Sequence, residues 1–142
     1  MKEIMLDSGV QEYRIGGGVL RFNPGDPNLY HRFLEAAEKI EAMQDTLAQL
    51  TAQAADSKAL MELVTMTDRR AKQLLDEAFG GGCDFDAVLE GVNLLAVCQN
   101  GQRAVTNLLT ALQPVLEEGA KRFYEEAAAP ELAAAAARHG ND

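Results

Sequence analysis

The sequence predicts a mainly α-helical protein, in which a small N-terminal β-hairpin packs on a long antiparallel helical hairpin and a C-terminal helical subdomain. Three observations predict this class. Alternating side chains flank three glycines near the start of the chain. The stretch from Asn28 to Phe79 contains neither Gly nor Pro and carries apolar residues in steps of three and four. Short apolar stretches separated by glycines follow it, as far as Glu126.

The β-hairpin is predicted over residues 10–22. Polar and apolar side chains alternate from Val10 to Ile15, and Val19 to Phe22 repeats the pattern after Gly16–Gly18. Two such runs around a glycine turn are typical of a hairpin. A two-stranded hairpin is barely stable alone, so we expect it to pack on the helices.

Two long helices are predicted next, over residues 27–54 and 57–79. Asp26 can cap the first helix, and Pro27 suits its first position, where no N–H is needed. The apolar seam breaks phase near Ala55–Ser57, which favours two helices folded back on each other, although one long helix with a stutter remains an alternative. The seam positions are Ala36, Ile40, Met43, Leu47, Leu50 and Ala54, then Leu60, Val64, Thr67, Ala71, Leu74 and Ala78.

The C-terminal helices are predicted within residues 84–126. Gly80–Gly82 ends the second long helix. We expect short helices at 85–90 and 93–99 and a longer one at 102–126, which Pro114 should kink or split. Residues 1–126 then form one domain. The Ala-rich residues 127–142 are predicted to be a flexible tail.

Charge and composition argue against several classes of partner. Thirteen basic against twenty-two acidic residues give a net charge of −9, which disfavours nucleic acid. The one basic cluster, Arg69, Arg70 and Lys72, has acidic neighbours and is predicted to be a solvated helix face. No apolar run approaches the roughly 20 residues that span a bilayer. We therefore expect no membrane association and a cytoplasmic protein whose Cys83 and Cys98 stay reduced.

No catalytic, cofactor or metal site is predicted. His31 and His139 stand without convergent partners, which a catalytic or metal site needs. Asp84, Asp86 and Glu90 fall at the two ends of one short helix, and helix capping and the helix dipole explain the first two. The sequence thus indicates a binding protein and not an enzyme.

Two stretches carry a resemblance to a known family. One is the Arg-Phe-Asn-Pro-Gly-Asp-Pro turn at 21–27 with the Leu-Tyr-His-Arg-Phe helix start at 29–33. The other comprises Leu-Asp-Glu-Ala-Phe-Gly at 75–80, Phe-Asp-Ala-Val-Leu-Glu-Gly at 85–91, and 105–117 with its proline. From about Val10 to Glu126 the chain resembles tail assembly chaperones, small proteins of prophages and long-tailed phages of Gram-positive bacteria, whose genes lie beside that of the tape-measure protein.

The resemblance implies a function in the cytoplasm of the bacterial host, with the tape-measure protein as partner and the tail-tube protein as a further one. It implies no catalytic residues. The partner-binding surface should be apolar and helical, built from residues off the seam. The candidates are Met61, Leu63 and Met66, with Leu29, Tyr30 and Phe33 near the first helix start as a second set. Methionines also fill helix seams, and that interpretation stays open.

A structural component of the phage particle is the alternative function. A head–tail connector or tail-tube accessory subunit needs an extended interface for ring formation. The edge strand of the predicted hairpin could supply one by strand addition. The sequence leaves self-association open.

Overall fold

A computed structural model describes residues 1–53 and 56–140, with side chains described as far as residue 128. Within these ranges the elements are β1 Gln11–Ile15, β2 Gly18–Phe22, α1 Pro27–Gln53, α2 Ser57–Ala78, α3 Phe85–Val88 and α4 Ala104–Gly140. The predicted class, mainly helical with an N-terminal β-hairpin, is confirmed.

The β-hairpin turns over two glycines. β1 and β2 pair antiparallel with Ile15 opposite Gly18, which leaves Gly16 and Gly17 as the two-residue turn. Gly16 has φ +53°, a conformation that two-residue hairpin turns require and that glycine adopts without strain. Leu20 points inward from β2 and is fully buried.

The hairpin packs on the helices, as its marginal stability requires. A Cβ atom on Gly18 would lie 2.6 Å from the Cα atom of Val88, so β2 touches α3 backbone to backbone. Phe22, at the end of β2, meets the ring of Phe79 edge-on at 5.2 Å between centroids. Phe85 contacts the same ring at 5.1 Å. Phe79 therefore joins the hairpin, α2 and α3 in one core.

α1 and α2 form the antiparallel pair that the phase break predicted, and not one long helix. Asp56 caps α2 by accepting a hydrogen bond from the backbone N–H of Ala59 at 2.7 Å. Arg32, early in α1, donates its Nε–H to the carbonyl oxygen of Ala78 at the end of α2, at 2.8 Å. Ala54, the last predicted seam position of the first helix, lies outside the described residues.

The segment between α3 and α4 departs from the prediction. The helix expected at 93–99 is wrong, since these residues form turns and a single bridge between Val97 and Arg103. The reason is long-range: the N–H of Leu94 donates to the Asp68 carboxylate, and its carbonyl accepts from Val105. These tertiary bonds replace the helical ladder. The short helix predicted at 85–90 ends at Val88.

α4 is one helix from Ala104 to Gly140 and is not split at Pro114. It continues past Glu126, the predicted domain boundary, while residues 141–142 lie outside the described part; flexibility of the Ala-rich segment stays a prediction. α4 also approaches the turn before α1, because a Cβ atom on Gly119 would lie only 1.8 Å from the Pro24 carbonyl oxygen. No helix among the described residues is both long and apolar enough to cross a membrane.

Candidate functional site

α1 and α2 extend together beyond the main core. The outermost members of the core cluster along these helices are Ile40 in α1 and Ala71 in α2. Residues 44–53 and 57–67, which we call the helical arm, lie further out, and the arm projects about 20 Å past Ile40 at 1.5 Å per residue. Leu47 is buried there, at 5% exposure, yet lies outside the core cluster. The arm therefore holds together mainly by the contact between its two helices.

A groove follows one side of the contact between α1 and α2. At the arm it is lined by Ala42, Met43, Thr46, Leu47, Leu50, Leu63 and Thr67. Nearer the core it is lined by Arg32, Glu35, Ala36, Lys39, Leu74, Glu77 and Ala78. Steps of three and four residues on each helix place both stretches on the same side. The groove is thus uncharged at the arm and charged near the core.

The first predicted set of binding residues lies on the arm. Met61 and Met66 are 55% and 65% exposed, on the side of α2 that also carries Lys58, Thr65 and Arg69. Leu63 is half-buried and lines the groove described above. The structure therefore brings all three to one projecting element; their role in binding stays a prediction.

The second predicted set lies in the core. Leu29 and Phe33 are 3% and 2% exposed, and Tyr30 is half-buried against them. Phe33 meets the ring of Phe79, at the end of α2, edge-on at 6.4 Å between centroids, and α1 also packs against α4, so these side chains fill the space between the elements. Leu29 and Phe33 offer no accessible surface in this conformation, whereas Tyr30 keeps part of its surface exposed, and its role in binding stays a prediction.

Sequence reasoning missed Leu50 and Met43 as groove residues, because it placed both on the buried seam. Leu50 is 40% exposed, and Met43 is half-buried. A seam residue in the arm has only one partner helix, so part of its side chain faces solvent. A heptad pattern shows which residues face the partner helix, but it does not show how far along the pair other elements cover that contact. No signal in the sequence marks this limit.

The predicted solvated cluster of basic residues is wrong at one position. Arg69 and Arg70 are exposed, but Lys72 is only 5% exposed. Its Nζ lies 3.1 Å from an Asp68 carboxylate oxygen and 2.5 Å from one of Asp86. Burial alone lowers the pKa of Lys72, but the hydrogen bonds and charges of Asp86 and Asp68 outweigh it and raise that pKa above its ordinary value.

Two carboxylates of α2, the buried Asp68 and the half-buried Asp76, hold the α3 region onto α2. Asp68 accepts a hydrogen bond from the N–H of Leu94 at 2.7 Å. Asp76 does the same for the N–H of Phe85, at 2.8 Å. Together with the Lys72 ion pairs, these bonds fix α3 and the following loop along one face of α2. These hydrogen bonds and ion pairs therefore have a structural role.

The pKa of Asp76 is raised above the ordinary value of an aspartate. Burial raises its pKa, and the nearby charges of Asp84, Asp86 and Glu77 raise it further, against the hydrogen bond from Phe85. Asp84 is itself the N-cap of α3, accepting from the N–H of Ala87 at 3.1 Å. The acidic residues of this region thus have structural roles.

The described residues contain no group of three or more His, Cys, Asp or Glu side chains placed to hold a metal ion. No protein-family model matches the chain, and no curated protein or solved structure is significantly similar to it. The candidate site is therefore the arm, with its groove and its exposed methionines.

Proposed function

We propose that this protein is a phage tail assembly chaperone that binds apolar helical segments of the tape-measure protein in the cytoplasm of the bacterial host. The observation that carries the proposal is the pair of exposed methionines, Met61 and Met66, on an arm whose groove is uncharged. Methionine side chains adapt to varied partners, and an apolar helix recognises a groove through area and shape. Neither property requires a catalytic residue.

The proposed partner explains the charge of the protein. A tape-measure protein is long, helical and rich in apolar segments, so it aggregates until tail-tube subunits enclose it. A net charge of −9 on the bound protein would keep such a complex in solution. The sequence resemblance to tail assembly chaperones supports the same function.

Co-expression with the neighbouring tape-measure gene tests the proposal. The wild type should keep the long partner soluble, and the double variant Met61→Glu, Met66→Glu should let it precipitate. Because binding is apolar, the soluble complex should survive moderate salt. Both substitutions are at exposed positions, so the circular dichroism spectrum and melting temperature of the variant should match the wild type.

A matched control is Val19→Glu with Tyr124→Glu, which alters exposed apolar residues on β2 and α4, at 49% and 70% exposure. This control should solubilise the partner as the wild type does. If the methionine variant still solubilises the partner, the assigned surface is wrong. If the wild type never does, the chaperone function is wrong.

One observation favours the alternative of a structural particle component. The sheet in the described residues has two strands, so β1 has a partner only in β2 and presents a second edge. Such an edge suits strand addition between subunits of a ring. Finding the protein in stoichiometric amounts in purified particles would favour this function over the chaperone.

A further inference from the structure

We propose that the arm end of the groove receives the leading segment of a second copy of this protein, with Ile4, Met5 and Leu6 as the inserted side chains. The inference concerns self-association and does not depend on the function proposed above, in which a partner helix would compete with the segment for the same groove. It rests on three observations: the exposure of the segment, the position of its attachment to the body, and the length of α1.

The segment exposes three consecutive large apolar side chains. Ile4, Met5 and Leu6 are 91%, 85% and 84% exposed, and residues 1–10 form neither helix nor strand. Contiguous exposed apolar groups on a soluble protein generally mark an interaction site. The groove supplies a matching lining, since its arm end is apolar and uncharged.

The segment is attached beside the start of α1. The Nδ2–H of Asn23 donates to the carbonyl oxygen of Ser8 at 3.0 Å. The carbonyl of Asn23 in turn accepts from the N–H of Asp26, one residue before α1, at 3.2 Å. Ile4 is four residues from Ser8, so a fully extended chain carries it about 14 Å from this attachment.

The arm end of the groove lies beyond that reach. It begins near Met43, sixteen residues after Pro27 in α1, which is about 24 Å along the helix at 1.5 Å per residue. Leu50 lies about 10 Å further along. With Ser8 held by Asn23, the segment cannot fill the groove of its own chain. A segment from another copy has no such restriction.

The charges of the segment and of the groove are also compatible with a second copy as the occupant. Glu3 and Asp7 bracket the three apolar residues, and Lys2 offsets one of these charges, so the segment is close to neutral. Lys39 lies one helical turn before Met43, where the groove becomes charged. An acidic residue at either end of the segment can face this ammonium group, depending on the direction of insertion. Apolar burial drives the contact, so salt should strengthen association by screening the repulsion between two acidic bodies.

The contact is heterologous, because one copy contributes a segment and the other a groove. A single insertion leaves one copy with a free groove and the other with a free segment, so association either continues beyond a dimer or closes by reciprocal insertion into a symmetric dimer. This property allows a test by complementation. Met5→Glu disables the segment and leaves the groove, whereas Leu50→Glu disables the groove and leaves the segment.

Sedimentation velocity of the full chain over a range of concentrations provides the test. The wild type should form dimers or larger oligomers in a concentration-dependent way, and each variant alone should associate at least tenfold more weakly. An equimolar mixture of the two variants should form a dimer and nothing larger, because the segment of one fits the groove of the other. Val19→Glu, at an exposed position on β2, is the control and should associate as the wild type does.

Several outcomes would overturn the proposal. A wild type that stays monomeric at every concentration would do so, and so would a Met5→Glu variant that associates normally. If Leu50→Glu abolishes association and Met5→Glu does not, the arms pair symmetrically and the segment is not the occupant. A mixture that stays monomeric also contradicts it. If Leu50→Glu fails to fold, Thr46→Glu, at an exposed position in the same groove, replaces it.

Discussion

Gly119 lies where α4 crosses the turn that precedes α1, and its missing side chain is what permits the crossing. A Cβ atom there would stand 1.8 Å from the Pro24 carbonyl oxygen and 3.0 Å from the N of Gly25. Both neighbours are backbone atoms, so neither can rotate away. The two segments meet at this position only because it carries no side chain.

Gly119→Ala should therefore destabilise the protein by at least ~1–3 kcal/mol, the usual penalty for overpacking, despite the better helix propensity of alanine. Chemical denaturation would measure the loss in free energy of unfolding. Gly82→Ala is the matched control, because a Cβ atom there would meet nothing within 4 Å. Equal stability of the two variants would show that α4 does not cross the turn this closely.

Asp76 allows a prediction about pH. Its folded-state pKa is raised above the ordinary value, mainly by burial, so the folded chain binds this proton more tightly than the unfolded chain does. The protonated side chain contributes stability that is present below the ordinary pKa and is lost as pH rises through the raised one. Asp76→Asn keeps an oxygen to accept from the N–H of Phe85 but removes the charge.

Asp76→Asn should therefore be as stable as the wild type or more stable at neutral pH. Any gain in the free energy of unfolding should disappear in acid, where Asp76 of the wild type is protonated. Asp76→Ala should lose about 1–3 kcal/mol at neutral pH, since the N–H of Phe85 then has no acceptor. Melting temperatures of the three proteins across the acidic range would measure both effects. A neutral-pH loss in Asp76→Asn as large as that in Asp76→Ala would mean that the carboxylate charge stabilises the fold.

At the scale of the element, the helical arm lies outside the core cluster and is supported mainly by the contact between its two helices. Leu47→Asp would place a carboxylate between α1 and α2 at a position of 5% exposure and should destabilise the arm by several kcal/mol. Because Leu47 lies outside the core cluster, the substitution should unfold the arm and weaken self-association before it affects the core.

Circular dichroism should show reduced helicity in Leu47→Asp, while near-ultraviolet signals from core aromatics persist. Gln49→Asp, at an exposed position on α1, is the control and should melt as the wild type does. Wild-type helicity and melting in Leu47→Asp would mean that the two helices do not close on each other at that position.

The elements that could be predicted from sequence are those specified by local signals. Asp26 and Pro27 marked the start of α1, the phase break near Ala55–Ser57 the start of α2, and the glycines the hairpin turn. The helix predicted at 93–99 does not form for the opposite reason, because a distant contact decides the structure there. The N–H of Leu94 is bound by Asp68, 26 residues earlier, and no local pattern can announce a bond of that span.

Lys72 shows the same division between local and distant causes. Its spacing from Asp68 predicts a side-chain pair on one turn of helix. Its burial depends on Asp86, which comes from α3 and lies fourteen residues away in sequence. The pair was therefore accessible to sequence reasoning, and its buried position was not.

At the scale of the whole molecule, the extent of the core decides which candidate binding residues are accessible. Met61 and Met66 are off the seam and stayed exposed. Leu29 and Phe33 are also apolar residues of a helix, but they belong to the core cluster, where α2 and α4 pack against α1. The sequence shows which helix faces are apolar. Only the packing of distant elements shows which of these faces are covered.

The projecting arm also bears on how long a complex would last. An element supported by one neighbouring helix keeps conformational freedom that the core has already lost. A ligand that settles on the arm must restrict this freedom, and the entropic penalty offsets part of the gain from apolar burial. For the partner proposed above, this penalty would lower the affinity and speed dissociation. Transfer of that partner to its next binding protein would then need no energy-consuming release step.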